Sequence, residues 1–284
     1  MRNARRDWTF DYTENRSLAP DPGTGREDHL AEPMRTALLS DVHANLQALE
    51  ACLAHARDGG VDRLAFLGDH VGYGANPREV LDVIMEAAAR GAVVLQGNHD
   101  ALALDPVPDV TQWGQVSAAW TGAQLHEPHR RFLRDLPLTA WADLCYFVHA
   151  SADAPAQWRY VQDERVAEQS LAAACAQEPR TRYVLGGHVH RQSLYYRGAA
   201  QRLMPFAPAS GVPVPVPVHR HWLATVGSVG QPRDGHAQAM YAVLDDAQAS
   251  LTFHRVDYDW ASAAAAIRRA GLPDYFAQRL EQGR

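Results

Sequence analysis

The sequence contains no lysine, since all 27 of its basic residues are arginine. A chain without lysine cannot form the Schiff base that holds pyridoxal phosphate, and it cannot supply the lysine of a P-loop nucleotide triphosphatase. If the protein handles phosphate, the positive charge must come from arginine, backbone amides or metal ions.

Cysteine is also scarce, because Cys52, Cys145 and Cys175 are the only three and none belongs to a C-x-x-C pair. A disulfide framework and a thiolate zinc site are therefore not expected. No apolar run reaches the roughly 18 residues of a membrane span, and the first residues lack the apolar core of a secretory signal. These absences favour a cytoplasmic protein without a membrane partner.

Excess positive charge is absent as well, because the formal net charge is -6 and the densest basic cluster, "HRRFLRDL" at 129–136, is short. A protein that binds a polyanion along its surface would need an extended basic track. We therefore expect nucleic acid to be a partner only in the form of a nucleotide-like substrate.

The chain divides into a polar extension and a structured part. Residues 1–34 carry several prolines and glycines but no apolar period, so we expect them to be disordered, with Met34 as an alternative start to Met1. Residues 35–284 are interpreted as a single domain. It opens with three strands, "RTALLS", "RLAFLG" and "AVVLQ", which alternate with two amphipathic helices as in successive βαβ units.

The second half is predicted to be rich in strands. After a helical stretch at 111–135 come the strand "LCYFVHAS", a helix near 165–177, the strand "RYVLGG" and five further strands up to 256. Helices over 259–282 end the chain. The segment 205–218 has five prolines, which forbid a central strand and predict an extended loop or an edge strand. Two sheets packed together, with helices outside, are the expected architecture.

Five successive strands end in Asp, His or Asn, in the blocks "SDVHAN", "GDHVGYG", "GNHD", "FVHAS" and "GGHVH". Each block alone fits a helix cap or a packed histidine, but capping does not account for the D-x-H and H-x-H pairs. Seven nitrogen and oxygen donors exceed the four of a structural zinc site and suit two divalent ions that share a carboxylate. The seven residues are Asp41, His43, Asp69, Asn98, His149, His188 and His190.

In their order, D-x-H, G-D, G-N-H-D, H and G-H-x-H resemble the calcineurin-like metallophosphoesterase superfamily, in a bacterial branch with "GDHVGYGANP" and "VGSVGQPRDG" at 226–235. The resemblance implies an α/β fold, a four-layer α/β/β/α sandwich of two mixed sheets. It also assigns the ligands, with Asp41, His43 and His190 on one metal, Asn98, His149 and His188 on the other, and Asp69 bridging the two.

The implied reaction is hydrolysis of a small phosphomonoester, phosphodiester or nucleotide, in which metal-bound hydroxide attacks phosphorus. His99 would then be the catalytic acid-base residue, since an unperturbed imidazole pKa near 6.5 suits proton transfer at neutral pH. Mn²⁺ is the first choice of metal, and Fe²⁺, Zn²⁺, Ni²⁺ and Co²⁺ accept the same donors. A metal-dependent nuclease and a weakly active scaffold protein on the same fold are the alternatives.

The sequence departs from the serine/threonine phosphatases of the superfamily, which carry G-D-x-V-D-R-G. Gly72 and Tyr73 replace the aspartate that orients the catalytic histidine and the arginine that grips phosphate. The partner of His99 is therefore open, and Asp100 is either that partner or a helix cap. Candidates for substrate contact are His70, Tyr73, Arg191 and Arg233, each with a structural role as the alternative.

Overall fold

A computed structural model describes residues 34–107, 112–197 and 202–284. The predicted N-terminal extension lies outside these ranges except for Met34, and the division into an extension and a single domain stays a prediction. None of the helices in the described ranges has both the length and the apolar character that a membrane span requires.

Two mixed β-sheets of six strands each form the centre of the molecule. The order of strands is β3-β2-β1-β11-β12-β9 in the first sheet and β4-β5-β6-β10-β7-β8 in the second. The strands in chain order are β1 (Arg35–Leu39), β2 (Arg63–Phe66), β3 (Val93–Val94), β4 (Thr139–Ala142), β5 (Cys145–Val148), β6 (Tyr183–Gly186), β7 (Gln192–Arg197), β8 (Leu203–Phe206), β9 (Pro213–Pro215), β10 (Trp222–Val226), β11 (Ala239–Asp245) and β12 (Ser250–Val256).

Eight α-helices lie in the described ranges. In chain order they are α1 (Leu46–Asp58), α2 (Pro77–Ala89), α3 (Asn98–Leu104), α4 (Trp113–Gln124), α5 (Glu127–Asp135), α6 (Glu164–Gln177), α7 (Trp260–Arg269) and α8 (Asp274–Gln282). The last two lie within the predicted helical region 259–282. Asn45 begins α1 by accepting a hydrogen bond from the Ala48 amide at 3.1 Å, and Pro77 begins α2 at a position where its missing N–H costs nothing.

Apolar side chains fill three successive interfaces. Leu38 and Leu67 of the first sheet meet Phe147 and Leu185 of the second between the sheets. Helices α1 and α2 pack on the other side of the first sheet, and α6 packs on the other side of the second. This arrangement is the predicted four-layer α/β/β/α sandwich.

Within the proline-rich segment, predicted to be an extended loop or an edge strand, two stretches are edge strands. Residues Pro213–Pro215 form β9 and pair with β12 at the edge of the first sheet, while Pro205 lies in β8 at the edge of the second. An edge strand tolerates proline because one side of it needs no ladder hydrogen bond.

Parallel pairing brings the predicted strand ends to one edge of the molecule. β1 pairs in parallel with β2 and β2 with β3, while β5 pairs in parallel with β6. The loops that follow these strands therefore emerge on the same side, where ligands bind in α/β sheets.

Candidate metal centre

Backbone hydrogen bonds join the strand-end loops into one layer. The Asp41 amide donates to the Gly68 carbonyl at 2.9 Å, and the His43 amide donates to the Asp69 carbonyl at 3.0 Å. Across the two sheets, the His188 amide donates to Oδ2 of Asp41 at 2.8 Å. The predicted site residues of both sheets thus belong to one hydrogen-bonded network.

Five of the seven predicted ligands have left-handed backbone conformations, which are uncommon for residues other than glycine. Each costs about 1 kcal/mol or more, and such strain concentrates at functional sites. The φ angles are 55° for Asp41, 50° for His43, 55° for Asp69, 67° for His188 and 56° for His190.

Asp41, His43 and His190 form the first cluster. Nδ1 of His43 donates to the Val71 carbonyl at 3.2 Å and Nδ1 of His190 to the Gln231 carbonyl at 2.5 Å. Each Nε2 is then left with a lone pair, yet the two Nε2 atoms lie 3.0 Å apart. Oδ1 of Asp41 lies 3.0 Å from Nε2 of His190 and has no hydrogen-bond partner. Two lone pairs and a carboxylate that converge in this way form a set of donors that could hold a cation.

Asp69, His149 and His188 form the second cluster, with Asn98 beside it. Nδ1 of His149 donates to the Leu67 carbonyl at 2.8 Å, so its Nε2 faces Oδ1 of Asn98 at 3.3 Å and Oδ2 of Asp69 at 3.4 Å. His188 has the opposite tautomer, because its Nε2 donates to the Trp158 carbonyl at 2.9 Å and leaves Nδ1 unprotonated.

The Asp69 carboxylate lies between the two clusters. Its Oδ2 is 3.4 Å from Nε2 of His149 and 3.8 Å from Nε2 of His43. Its Oδ1 accepts a hydrogen bond from the His99 amide at 2.7 Å, which fixes the rotation of the carboxylate. Asp69 therefore lies near a histidine of each cluster.

Burial and mutual charge set the protonation of the clusters. Burial lowers the pKa of His43 and His190, and it lowers the pKa of His188 to about 4. For Asp69, burial acts to raise the pKa, but the nearby histidines outweigh it and the net shift is downward. Neutral imidazoles and ionised carboxylates are the forms that bind metal.

His149 differs from the other histidines of the site. Burial acts to lower its pKa, but the Asp69 carboxylate outweighs burial and raises the pKa to about 9. A metal at the second cluster would therefore displace a proton from His149 when it binds.

The donor set fits two divalent cations. In each cluster of three side chains, one ligand atom per residue lies within 4.8 Å of the others. The donors are imidazole nitrogens and carboxylate or amide oxygens, without thiolate, which suits Mn²⁺, Fe²⁺, Zn²⁺, Ni²⁺ and Co²⁺.

His99 lies beside the first cluster with its side chain 8% exposed. Its ring centroid is 4.4 Å from that of Tyr73 and 5.1 Å from that of His43. Nδ1 has no hydrogen-bond partner, and a Cβ on Gly72 would lie 3.0 Å from it. Where the serine/threonine phosphatases place an aspartate, this chain therefore places the bare backbone of Gly72 against the imidazole. Burial lowers the pKa of His99 below the unperturbed value that the sequence suggested.

Asp100 is a helix cap and a loop anchor. Its Oδ2 accepts from the Gly97 amide at 2.8 Å at the start of α3. Its Oδ1 accepts from the amides of His70 at 2.8 Å and Val71 at 3.2 Å. Of the two roles left open by the sequence, the observed contacts are those of the cap.

His70 does not line open space, contrary to the prediction. Its side chain is 0% exposed, and its Nε2 donates to the Leu95 carbonyl at 2.8 Å. Tyr73 is half-buried, with ring centroids 4.8 Å from His43 and 5.3 Å from Phe276, so it touches both the site and the C-terminal helices.

The two predicted arginines have different surroundings. Arg191 is exposed, and its Nε donates to the Arg233 carbonyl at 3.0 Å. Arg233 is half-buried, its Nη2 donates to Oε1 of Gln231 at 3.0 Å, and its Nε has no partner. After burial and neighbouring side chains, the positive charge of Arg233 also lowers the pKa of both His99 and His190. Arg233 is therefore the one whose charge acts on the site.

Sequence reasoning missed Trp158 and Tyr160. The Trp158 carbonyl accepts the hydrogen bond from His188, and the Tyr160 ring stacks on the His188 ring with centroids 3.9 Å apart. Neither residue follows a strand or belongs to a spaced motif. The only available signal was the pair of aromatic residues in "DAPAQWRY", the loop that follows His149.

A family model and a relative of known sequence each match most of the chain. A family model described as the calcineurin-like phosphoesterase superfamily domain matches residues 34–248. An uncharacterized protein of Methanocaldococcus jannaschii is 29% identical over 254 residues, which are 87% of this chain and 98% of that protein.

Two solved structures resemble the fold over most of its length. The crystal structure of a metallophosphoesterase from Sphaerobacter thermophilus has 34% sequence identity and a TM-score of 0.78, and the match covers 89% of this chain and 100% of that one. A hypothetical protein of Pyrococcus horikoshii has 20% identity and a TM-score of 0.68, with 88% and 98% covered. The second likeness concerns the fold alone.

Proposed function

Because the chain belongs to the calcineurin-like phosphoesterase superfamily, we propose that it is a hydrolase of small phosphate esters that works with two divalent metal ions. The observation that carries the proposal is the convergence of unpaired donors in the first cluster. Nε2 of His43 and Nε2 of His190 face each other at 3.0 Å, and Oδ1 of Asp41 beside them has no partner. Without a cation, these buried polar atoms would lack good partners, and this costs free energy.

Asp41, His43 and His190 would hold one metal, and Asn98, His149 and His188 would hold the other. Asp69 would bridge the two, since its Oδ2 lies between Nε2 of His149 and Nε2 of His43. A shared carboxylate lowers the repulsion between two dications. When bound, the metals supply the Lewis acidity that polarises the ester and generates the nucleophile from water.

The remaining roles belong to the chain itself. Arg233 places positive charge near His99 and His190, where its guanidinium would bind phosphoryl oxygens. His99 would donate a proton or a hydrogen bond to the leaving oxygen, because its ring lies beside the first cluster, 5.1 Å from the His43 ring. The negative charge of a bound phosphate would favour the protonated form of His99 and offset the effect of burial on its pKa.

A metal-reconstitution panel tests this function. Metal-free protein is loaded separately with Mn²⁺, our first choice, and with Fe²⁺, Zn²⁺, Ni²⁺ and Co²⁺. Each form is assayed with p-nitrophenyl phosphate, bis-p-nitrophenyl phosphate, cyclic nucleotides and dinucleoside polyphosphates. We expect turnover of at least one ester class with at least one metal, and no turnover by a variant with Asp69→Asn.

Metal content is measured for the same samples by elemental analysis. Two metal ions per chain with turnover support the proposal. A protein fully loaded with metal that hydrolyses none of these esters would contradict the proposal and would favour a scaffold role for the same fold.

A further inference from the structure

Two aromatic rings pack against the histidines of the second cluster. The Tyr160 ring stacks on the His188 ring at 3.9 Å with 24° between the planes. The Trp158 ring meets the His149 ring edge-on, with centroids 5.8 Å apart. Tyr160 is exposed, whereas His149 and His188 are buried.

Trp158 has a constrained backbone. Its φ of 52° is left-handed, which costs a tryptophan about 1 kcal/mol or more. In this conformation its carbonyl accepts the hydrogen bond from Nε2 of His188. The loop is therefore tied to the metal-binding edge, and the position of Tyr160 two residues later is fixed with it.

A cavity of about 390 Å³ opens beside these rings. Trp158, Tyr160 and His188 form one side of it. Ala101 and Leu102 from α3 contribute apolar surface, and the Asp105 carboxylate adds a hydrogen-bond acceptor. Asn98 also lines the cavity, so a molecule in it would lie next to the second cluster.

The Tyr160 side chain is 46% exposed although it touches a proposed metal ligand. One face of its ring covers His188, and the exposed part contributes to the cavity. A tyrosine that served only to shield His188 would be more stable if it were buried, since apolar surface left in water costs about 25 cal/mol per Å². An exposed ring beside a reaction centre is instead typical of a stacking platform for a planar ligand.

We propose that this cavity is a subsite for the base of a nucleoside phosphate, which stacks on Tyr160 while the phosphate lies at the two clusters. The inference rests on the proposed function, because it places the reacting phosphate at the metal edge. Leu102 and Ala101 provide the apolar surroundings of the base, and Asp105 accepts a hydrogen bond from one of its N–H groups. Tyr160 is then a residue that determines specificity.

Equilibrium binding of phosphonate analogues tests the subsite without any turnover. Two compounds are titrated into the manganese-loaded protein by calorimetry, the methylene phosphonate analogue of adenosine 5′-monophosphate and that of ribose 5-phosphate. They share the sugar and the phosphoryl group and differ only in the base. Stacking on an aromatic side chain contributes about 1–3 kcal/mol per base, so we expect the nucleoside analogue to bind about tenfold more tightly or better.

Variants assign this preference to the ring. Tyr160→Phe keeps the aromatic face and should keep the preference, while Tyr160→Leu should reduce it to about threefold or less. Trp141→Leu is the matched control, because Trp141 is an aromatic residue on β4 that is 56% exposed and does not line the cavity. It should bind both analogues as the wild type does.

Metal content is measured for every variant, because Tyr160 touches His188. If Tyr160→Leu loses metal, Leu102→Trp is tested in its place. It fills the cavity from α3 and should remove the preference for the nucleoside analogue while both metals stay bound. Equal affinity of the wild type for the two analogues would overturn the subsite, as would a metal-loaded Tyr160→Leu that kept the full preference. The proposed function is tested separately, because its failure would appear as absence of ester turnover in the reconstitution panel.

Discussion

The guanidinium groups of Arg191 and Arg233 make different contacts although Arg191 follows His190 directly and Arg233 contacts Gln231, whose carbonyl pairs with His190. Arg191 is exposed and donates to the backbone of Arg233, whereas Arg233 has a buried Nε without a partner. The positive charge of Arg233 acts on His99 and His190, so Arg233 is the residue that we expect to bind the phosphate.

We therefore expect Arg233→Ala to raise KM for a phosphate ester about tenfold or more, since a hydrogen bond to a charged group contributes about 1.5–3 kcal/mol. Arg191→Ala is the matched control, with a change of roughly threefold or less, because it affects the site only through the Arg233 backbone. Steady-state kinetics of the two variants check the difference. Equal increases in KM would show that both arginines act on the substrate.

The backbone conformation and the surroundings of Gly72 favour glycine over any residue with a side chain. Its φ is +92°, and a Cβ would lie 3.0 Å from Nδ1 and 3.2 Å from Cβ of His99. We expect Gly72→Ala to displace the imidazole, to lower kcat about tenfold or more and to leave metal content unchanged.

Gly211→Ala separates backbone strain from contact with His99. Gly211 has a similar φ of +74°, but a Cβ there would meet no atom within 4 Å. Both variants should lose stability by about 1 kcal/mol, and only Gly72→Ala should lose turnover. Normal turnover of Gly72→Ala would remove His99 from the role proposed for it.

Helix α3 and the loop after β2 are held together by one buried carboxylate. Asp100 accepts hydrogen bonds from the amides of Gly97, His70 and Val71, so it joins the segment of Asn98 and His99 to the segment of Asp69. The position of α3 relative to the loop after β2 therefore depends on Asp100, which is not one of the proposed ligands.

Asp100→Ala should destabilise the metal-free protein by about 2–4 kcal/mol, because it leaves three buried amides without an acceptor. Asp163→Ala is the comparison, since Asp163 caps α6 at the surface by accepting from the Val166 amide at 2.8 Å, and its loss should cost about 1 kcal/mol. Urea denaturation measures both. Equal effects would mean that Asp100 is an ordinary cap.

Elements with a clear hydrophobic period were predictable, and so were the polar residues at their ends. The strands β1, β2, β5 and β6 are buried runs that end in the blocks of the candidate site, so alternation of element types was enough to bring Asp41, Asp69 and His149 together. The edge strand β4 was missed because a short edge strand carries a weak pattern, whereas for β9 the prolines left an extended loop and an edge strand as alternatives.

The direction in which a side chain points was harder to predict than the strand end at which the residue lies. His70 follows Asp69 directly but points into the interior toward the Leu95 carbonyl. Trp158 and Tyr160 reach the site through a loop whose left-handed turn at a tryptophan has no sequence signature. Such choices depend on tertiary contacts, which local sequence does not encode.

At the scale of the whole molecule, the two clusters join the two sheets. Asp41 and Asp69 follow strands of the first sheet, whereas His149 and His188 follow strands of the second. Metal ions bound by both sets would crosslink the sheets at the edge where the loops meet, in addition to the apolar contacts between them.

Metal addition should therefore raise the thermal unfolding temperature. A ligand at 100 times its Kd stabilises the folded state by about 2.7 kcal/mol, which corresponds to a rise of about 5–10 °C for a chain of this size. Differential scanning calorimetry of metal-free and manganese-loaded protein measures the shift, and His188→Ala should show a smaller one. An unchanged unfolding temperature at saturating Mn²⁺ would contradict a crosslink between the sheets.

The left-handed backbone of Asp41, His43, Asp69, His188 and His190 has an evolutionary consequence. Glycine adopts these conformations without steric cost, so at each of the five positions the proposed ligand competes with a residue that suits the backbone better. Selection for the proposed turnover would keep these residues in place. In a lineage released from that selection, drift should bring glycine or asparagine to these positions first, and such replacements would identify relatives that have kept the sandwich but lost the chemistry.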